Sequence, residues 1–269
     1  MSVVLSGVMT DVGGLLAAYD EQMRGPGNLA GGSCERDGPV VRIVGQFRGL
    51  VSGPPDLGLG GAELDQLIAR QRDYFAARGE AVEWKTRGHD LPHDLTDRLR
   101  AAGFVPEEQE TVLIAVAQDV VAATTLPDGI YIRWVTAEAD MHRIAAMESA
   151  VWQQDWSWLA QDLIGRVSTV PREIEVLVAE AEGEVVSAAW LEFHEGTEFA
   201  SLWGGSTLQQ WRGRGIYRAL VNARAALAVT RGVRFLQVDA SADSAPILRR
   251  LGFQAVTTTT PYVWSPPQS

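Results

Sequence analysis

A short pattern occurs twice in this chain and limits the folds open to it. Arg78-Gly79 closes a helical stretch from Glu63 to Ala77 and precedes the strand-like Ala81 to Trp84. A short helix, Leu95 to Ala101, then ends in Gly103-Phe104 ahead of the strand Glu110 to Val116. In the second half Arg231-Gly232, Phe235 to Val238, Ile247 to Leu251 and Gly252-Phe253 follow in the same order. The paired glycines are 24 residues apart in the first copy (79 to 103) and 20 in the second (232 to 252). Self-similarity of this kind is the mark of a duplicated half-domain.

The breaker cluster Thr124-Thr-Leu-Pro-Asp-Gly129 separates two periodic stretches and is the expected linker, with domains at 1–123 and 130–269. After it, Ile130 to Val135 reads as a strand, and Thr136 as the cap of a helix running from Ala137 to about Val167. Ile174 to Ala179 and Val185 to Phe193 are two strands joined by the hairpin signal Glu182-Gly-Glu184. Phe199 to Trp203 continues the sheet, and an apolar face at Ile216, Ala219, Leu220, Ala223 and Leu227 marks a helix from Gly215 to Thr230. Pro246 starts a short helix that stops at Gly252, and Val256 to Val263 is a strand whose Pro261 predicts an edge position. The order β-α-β-β-β-α-β-α-β predicts an α/β fold with a mixed sheet.

Chemistry concentrates between a strand and a helix, in Leu208-Gln-Gln-Trp-Arg-Gly-Arg-Gly-Ile-Tyr-Arg-Ala-Leu220. Closely placed glycines let a backbone approach a ligand, and a helix start offers free N–H groups with a positive dipole. Arg212, Arg214 and Arg218 add guanidinium charge, so the segment reads as a pyrophosphate cradle; the bland alternative is a glycine-rich turn with solvated arginines. No Lys-Ser/Thr follows, which excludes a P-loop, and no β-α-β unit opens the chain, which excludes a dinucleotide-binding fingerprint. The formal charge of −11 argues against nucleic acid as the main ligand and suits a cationic one.

Arg212-Gly213-Arg214-Gly215-Ile216-Tyr217 resembles the Arg/Gln-x-x-Gly-x-Gly/Ala motif of the GNAT superfamily of acetyl-CoA-dependent N-acetyltransferases. The resemblance extends through the second half in element order. It implies that the amides of Arg212 to Tyr217 hold the pyrophosphate of acetyl-CoA, a cosubstrate. It further implies that Ser206, Thr207 and Leu208 pair with the pantetheine arm and polarise the thioester carbonyl. Tyr217 stands where the family has Gly or Ala; the register Gln210-x-x-Gly213-x-Gly215 also fits the letters but shifts the apolar helix pattern. Leu248 stands where many members carry a tyrosine acid, leaving water, Ser241 or Ser244 to reprotonate the thiolate.

The first half keeps this outline without its chemistry. Its loop Asp56-Leu-Gly-Leu-Gly-Gly61 has no arginine and is flanked by Asp56 and Glu63, so residues 1–123 read as a degenerate copy, or as an unrelated α+β domain. Amine acylation needs a base, for which Glu148 and Glu192 are the leading candidates beside Asp155 and His194. Trp152-Gln-Gln-Asp-Trp-Ser-Trp158 is either a packed aromatic hinge or a cover in which Trp152, Asp155 and Trp156 hold a small cationic amine. His89-x-x-x-His93 is interrupted by Pro92, and no metal site is expected. The lone Cys34, the absence of a long apolar run and a Met1 to Leu5 start without basic residues predict a cytoplasmic, non-membrane protein, monomer or homodimer. The expected function is N-acetylation of a small amine; a non-catalytic acyl-CoA-binding sensor is the alternative.

Overall fold

A computed structural model describes residues 11–25, 33–45, 48–170 and 172–267, so the Met1 to Leu5 start lies outside it. The chain forms two compact units. The first comprises the chain up to Ile114 with 239–249 and the segment from Gln254 onward; the second comprises Ala115–Val238 and Arg250–Phe253. The 124–129 segment lies in the second unit as an irregular approach to its first strand.

In the first unit, α1 (Val12–Met23) is followed by β1 (Ser33–Asp37), β2 (Val40–Val44) and β3 (Gly49–Ser52), then α2 (Gly61–Ala76) and β4 (Val82–Arg87). Next come α3 (Leu95–Ala101), β5 (Val105–Pro106) and β6 (Glu110–Val116), which runs to the unit boundary. β1, β2 and β3 pair antiparallel, and β3 pairs parallel with β4. In the second unit the short α4 (Ala117–Val120) precedes β7 (Ile130–Val135), α5 (Glu138–Trp152), α6 (Trp158–Val167), β8 (Ile174–Ala181), β9 (Glu184–Phe193) and β10 (Phe199–Thr207). Then come α7 (Ile216–Thr230) and β11 (Phe235–Ala240). Here β7 to β10 pair antiparallel and β10 pairs parallel with β11. Both units thus share one plan: antiparallel strands, then a crossover helix to a parallel neighbour.

The repeat is visible at the level of single hydrogen bonds. After α2, Gly79 N–H donates to Ala76 O and Glu80 N–H to Phe75 O; after α7, Gly232 N–H donates to Val229 O and Val233 N–H to Ala228 O. Gly79 (φ 67°) and Gly232 (φ 75°) are left-handed, as this helix stop requires.

Side chains facing α5 and α6 form one core layer of the second unit, including Ile144, Met147, Leu163, Val176, Ala188 and Trp190. Leu177, Ala179, Val186, Ala189, Ile216 and Leu220 form the layer under α7. The alternation along β8 and β9 that feeds both layers follows from the two-residue period of a strand. The β8–β9 hairpin turns at Glu182 (φ 54°) and Gly183 (φ 83°), matching a tight turn with two left-handed residues.

Three expectations are corrected. The helix expected over 137–167 is two helices, because Gln153 turns left-handed (φ 53°) and two side chains hold the break open. Ser149 Oγ accepts from Trp156 N–H at 3.0 Å, and Asp155 Oδ1 from Ser157 N–H at 2.9 Å. Thr136 is not the cap of α5; Ala137 holds that position, without a side-chain hydrogen bond. Pro261 is not at an edge: it lies in β12 (Gln254–Trp264), paired with β4 on one side and with β5 and β6 on the other. The proline is tolerated because its nitrogen faces the same side as its carbonyl, which accepts from Glu107 N–H in the gap between β5 and β6. No helix among the described residues is long and apolar enough to cross a membrane.

Candidate active site

In the second unit, β10 pairs with β11 only over Phe199–Ser201; beyond that no described strand pairs with that side of β10. The open edge carries a bulge between Gly204 and Ser206 and ends at Thr207. A single 3-10 turn, Gln209–Trp211, then leads to Arg212, the left-handed Gly213 (φ 75°) and Gly215 (φ 82°), and α7. Among the described residues no backbone carbonyl accepts from the amides of Gly213, Arg214 or Gly215. The first turn of α7 contains no acidic residue and Gly215 supplies no capping side chain, so its dipole end is bare. Arg212 Nε donates to Thr207 O (2.9 Å), fixing the loop to the strand end, and the Arg214 guanidinium lies over the Trp211 ring at 4.6 Å.

Tyr217 has a local cause. A Cβ on Gly205 would meet the Tyr217 ring at 2.6 Å, so the tyrosine fills space that a side chain at the bulge would otherwise take. Of the three residues expected along the pantetheine arm, Leu208 already donates its amide to Val186 O (3.0 Å). Ser206 O accepts from Ser187 Oγ at 2.6 Å. Backbone alternation turns the Thr207 N–H to the open side, where its carbonyl meets Arg212.

Glu148 on α5 is 2% exposed. Trp152 Nε1 donates to its Oε2 at 2.9 Å, while Oε1 is buried without a hydrogen-bond partner. Burial pushes its carboxyl up from the ordinary range, partly offset by the Ser206 hydroxyl and the Trp152 indole beside it. The structure therefore brings Glu148 and Trp152, one turn apart on α5, together with the sequence-distant Ser206. Glu192 sits elsewhere: it is cross-strand from Ser201, five residues before Ser206, and pairs with Arg166 of α6 at 2.8 Å. His194 Nε2 meets Ser201 Oγ (2.7 Å), which donates to Gln237 Oε1 (2.8 Å); burial lowers the histidine's pKa.

The tryptophans between α5 and α6 form a ladder. Trp156 stacks on Trp152 at 6.5 Å and on Trp158 at 5.4 Å, both at 30°. Trp152 is exposed, whereas Trp156 packs against the α5–α6 core. Asp155 is exposed, and its hydrogen bond from the Ser157 backbone holds its pKa down.

The equivalent edge in the first unit is closed by its own chain. After β3–β4 pairing stops at Val51, Leu91 N–H donates to Pro55 O (2.7 Å) and Leu57 N–H to Leu91 O (3.1 Å). Buried Arg24 donates to Gly53 O (2.8 Å) and pairs with Asp90 (2.7 Å). In the loop before α2, Asp56 Oδ1 accepts from Gly58 N–H (2.9 Å), and Glu63 occupies the first helical turn. An anion there would meet two carboxylates. If the Gly213–Gly215 loop holds the pyrophosphate that the resemblance implies, Arg212→Ala or Arg214→Ala should weaken CoA binding by about 1–3 kcal/mol, the scale of a lost charge-assisted contact. Gly58→Ala, which strains a left-handed residue, should lower thermal stability and leave CoA affinity unchanged; calorimetric titration of the three variants checks both.

This α/β unit, whose parallel pair stops at Ser201 ahead of a bare, arginine-bearing helix start, has a fold that supports acyl-CoA-dependent acyl transfer. Residues 132–253 match the Acetyltransferase (GNAT) family, and this part of the chain is a GNAT domain. No curated protein matches the chain. Among solved structures it resembles a GCN5-related N-acetyltransferase from Kribbella flavida (TM-score 0.69, 17% identity, 95% of each chain covered). A GCN5-related N-acetyltransferase from Sphaerobacter thermophilus is similar at TM-score 0.61 and 17% identity, with 84% of this chain and 76% of that one covered. A tandem GNAT protein from the clavulanic acid biosynthesis pathway gives 0.58 and 15%, covering 86% and 79%. At these identities the likeness is one of fold.

Proposed function

We propose that this protein transfers an acetyl group from acetyl-CoA to the amine of a small cationic acceptor, with the chemistry in its second unit. The observation that carries this reading is the buried Glu148 carboxylate, one oxygen unpaired, beside Ser206 on the open strand edge. The bare amides of Gly213 to Gly215 would take the pyrophosphate, and the free side of β10 would pair with the pantetheine arm. The acceptor would approach from the α5 side. The neutral amine nitrogen adds to the thioester carbonyl carbon, and Glu148 takes a proton from the nitrogen, which has become cationic in the adduct. The C–S bond then breaks and the departing thiolate is protonated by water. A carboxyl raised by burial is a stronger base than a free one, which suits that step.

A thermal-shift titration tests the cosubstrate: at ~1 mM acetyl-CoA, ligand binding should stabilise the fold by mass action, and no shift would refute the site. Thiol release with a panel of amines tests the transfer. The sensor reading keeps one point in its favour, since Leu248 is fully buried hydrocarbon and supplies no proton. It predicts acetyl-CoA binding without amine-dependent thiol release.

The acceptor assignment rests on Trp152, the exposed aromatic tied to Glu148. Trp152→Ala should raise the acceptor KM about two- to fivefold, as loss of a cation–π contact at an exposed ring implies, with acetyl-CoA affinity unchanged. Loss of cofactor affinity or of folding instead would make it a packing residue.

A further inference from the structure

Arg224, on the sheet-facing side of α7, is 1% exposed, and among the described residues no carboxylate pairs with it. Its Nε donates to Leu220 O (3.1 Å), and its Nη1 reaches both Trp190 O (3.2 Å) and Trp203 O (2.9 Å). Burial pulls its pKa down to about 10, with the Tyr217 phenol as the titratable neighbour acting on its charge. Holding α7 to the sheet needs only apolar contact, which Ile216 and Leu220 already make. A buried cation without a counter-ion is a costly way to add to it.

The position of those two carbonyls gives the charge a use. Trp190 and Trp203 are cross-strand partners immediately before the bulge in β10. The C=O and N–H of one trans peptide point in opposite directions. With Trp203 O turned towards β9 and the guanidinium, the Gly204 N–H of the same peptide points to the open edge. A cationic donor on a peptide oxygen polarises that peptide and strengthens its N–H as a donor. Gly204 is left-handed (φ 67°), and a Cβ there would meet the Trp190 ring at 2.7 Å, so the bulge is held in this one shape. Gly204 also lies at a fitting distance. An extended arm running back from Thr207 reaches it after three strand residues, about 10 Å.

We infer that Arg224 is a positioning residue for acyl transfer, fixing and polarising the Trp203–Gly204 peptide so that Gly204 N–H donates to the thioester carbonyl oxygen. That oxygen gains negative charge as the amine adds. The inference rests on the reading of the open β10 edge as the acyl-CoA site.

The test uses the full chain with CoA, which lacks the carbonyl, and acetyl-CoA, which has it. In the parent, the Gly204 amide resonance should move with acetyl-CoA and not with CoA, and the stretch of carbonyl-labelled acetyl-CoA should fall on binding. In Arg224→Met the stretch should return towards its solution value and kcat should drop on the order of tenfold or more, with CoA affinity held within twofold. Arg224→Lys, which keeps the charge and one donor, should lie between. A folded Arg224→Met with unchanged stretch and kcat overturns the assignment. If that variant does not fold, equal Gly204 shifts with CoA and acetyl-CoA in the parent overturn it instead. Failure of both ligands to bind the parent would remove the acyl-CoA site, and the assignment with it.

Discussion

Glu148→Gln should lose nearly all turnover while its fold becomes no less stable. A positioned general base contributes about 10²–10⁴-fold to rate, so kcat should fall by that factor. The stability effect has the opposite sign. The folded-state pKa of Glu148 is raised by burial, so its protonated form is the one the fold favours. The stabilisation that goes with protonation is fully present below the unfolded pKa and is lost as pH rises through the folded pKa. Above the folded pKa the parent holds an ionised carboxylate where its surroundings prefer a neutral group. Glutamine is neutral at every pH and keeps an oxygen for the Trp152 indole. The gap in melting temperature between variant and parent should widen in the variant's favour as pH rises through that range. The acid limb of kcat/KM, expected above the usual carboxylate range in the parent, should vanish in the variant. Melting curves and pH profiles check both; turnover within a few-fold of the parent would remove Glu148 from the mechanism.

Gly205→Ala should be among the most damaging single-methyl additions to the second unit. The residue is left-handed at φ 94°, and the new Cβ would lie 2.6 Å from the Tyr217 ring. Left-handed strain of ~1–2 kcal/mol and overpacking of ~1–3 kcal/mol act together, giving a loss of about 2–5 kcal/mol in denaturant unfolding. Tyr217→Ala on the same background should recover the steric share and leave the backbone share, so the double variant should unfold later than Gly205→Ala alone. If the second change restores nothing, the ring is not what the bulge is shaped around.

Where a local rule governs, the chain is legible. The hairpin at Glu182-Gly183 and the helix stops at Gly79 and Gly232 follow from residues that accept left-handed backbone, and the strand 130–135 is read to the residue. The glycine–arginine loop before α7 is legible for the same reason, because Gly213 and Gly215 take left-handed backbone. The α5–α6 break is hidden: apolar residues continue through Met147, Val151 and Trp158, while the break depends on Ser149 and Asp155 bonding to nearby backbone. Glu148 is identifiable as a helix acid, but its burial against Ser206 arises from tertiary packing. Arg224 carries a signal that the apolar periodicity alone does not read. It lies four residues after Leu220, on the face the periodicity assigns to the core, where a charge is out of place.

β12 has a consequence for how the protein is made. It lies between β4 and β6, so the first unit's sheet lacks an interior strand until residues 254–264 have been synthesised, after every strand of the second unit. On the ribosome the half translated first cannot be the half finished first. Until β12 arrives, β4 and β6 present unpaired edges on a nascent chain, the kind of surface on which chaperones and misassembly compete. The second unit's strands β7 to β11 are all in hand before that point, so folding here should run against the direction of translation.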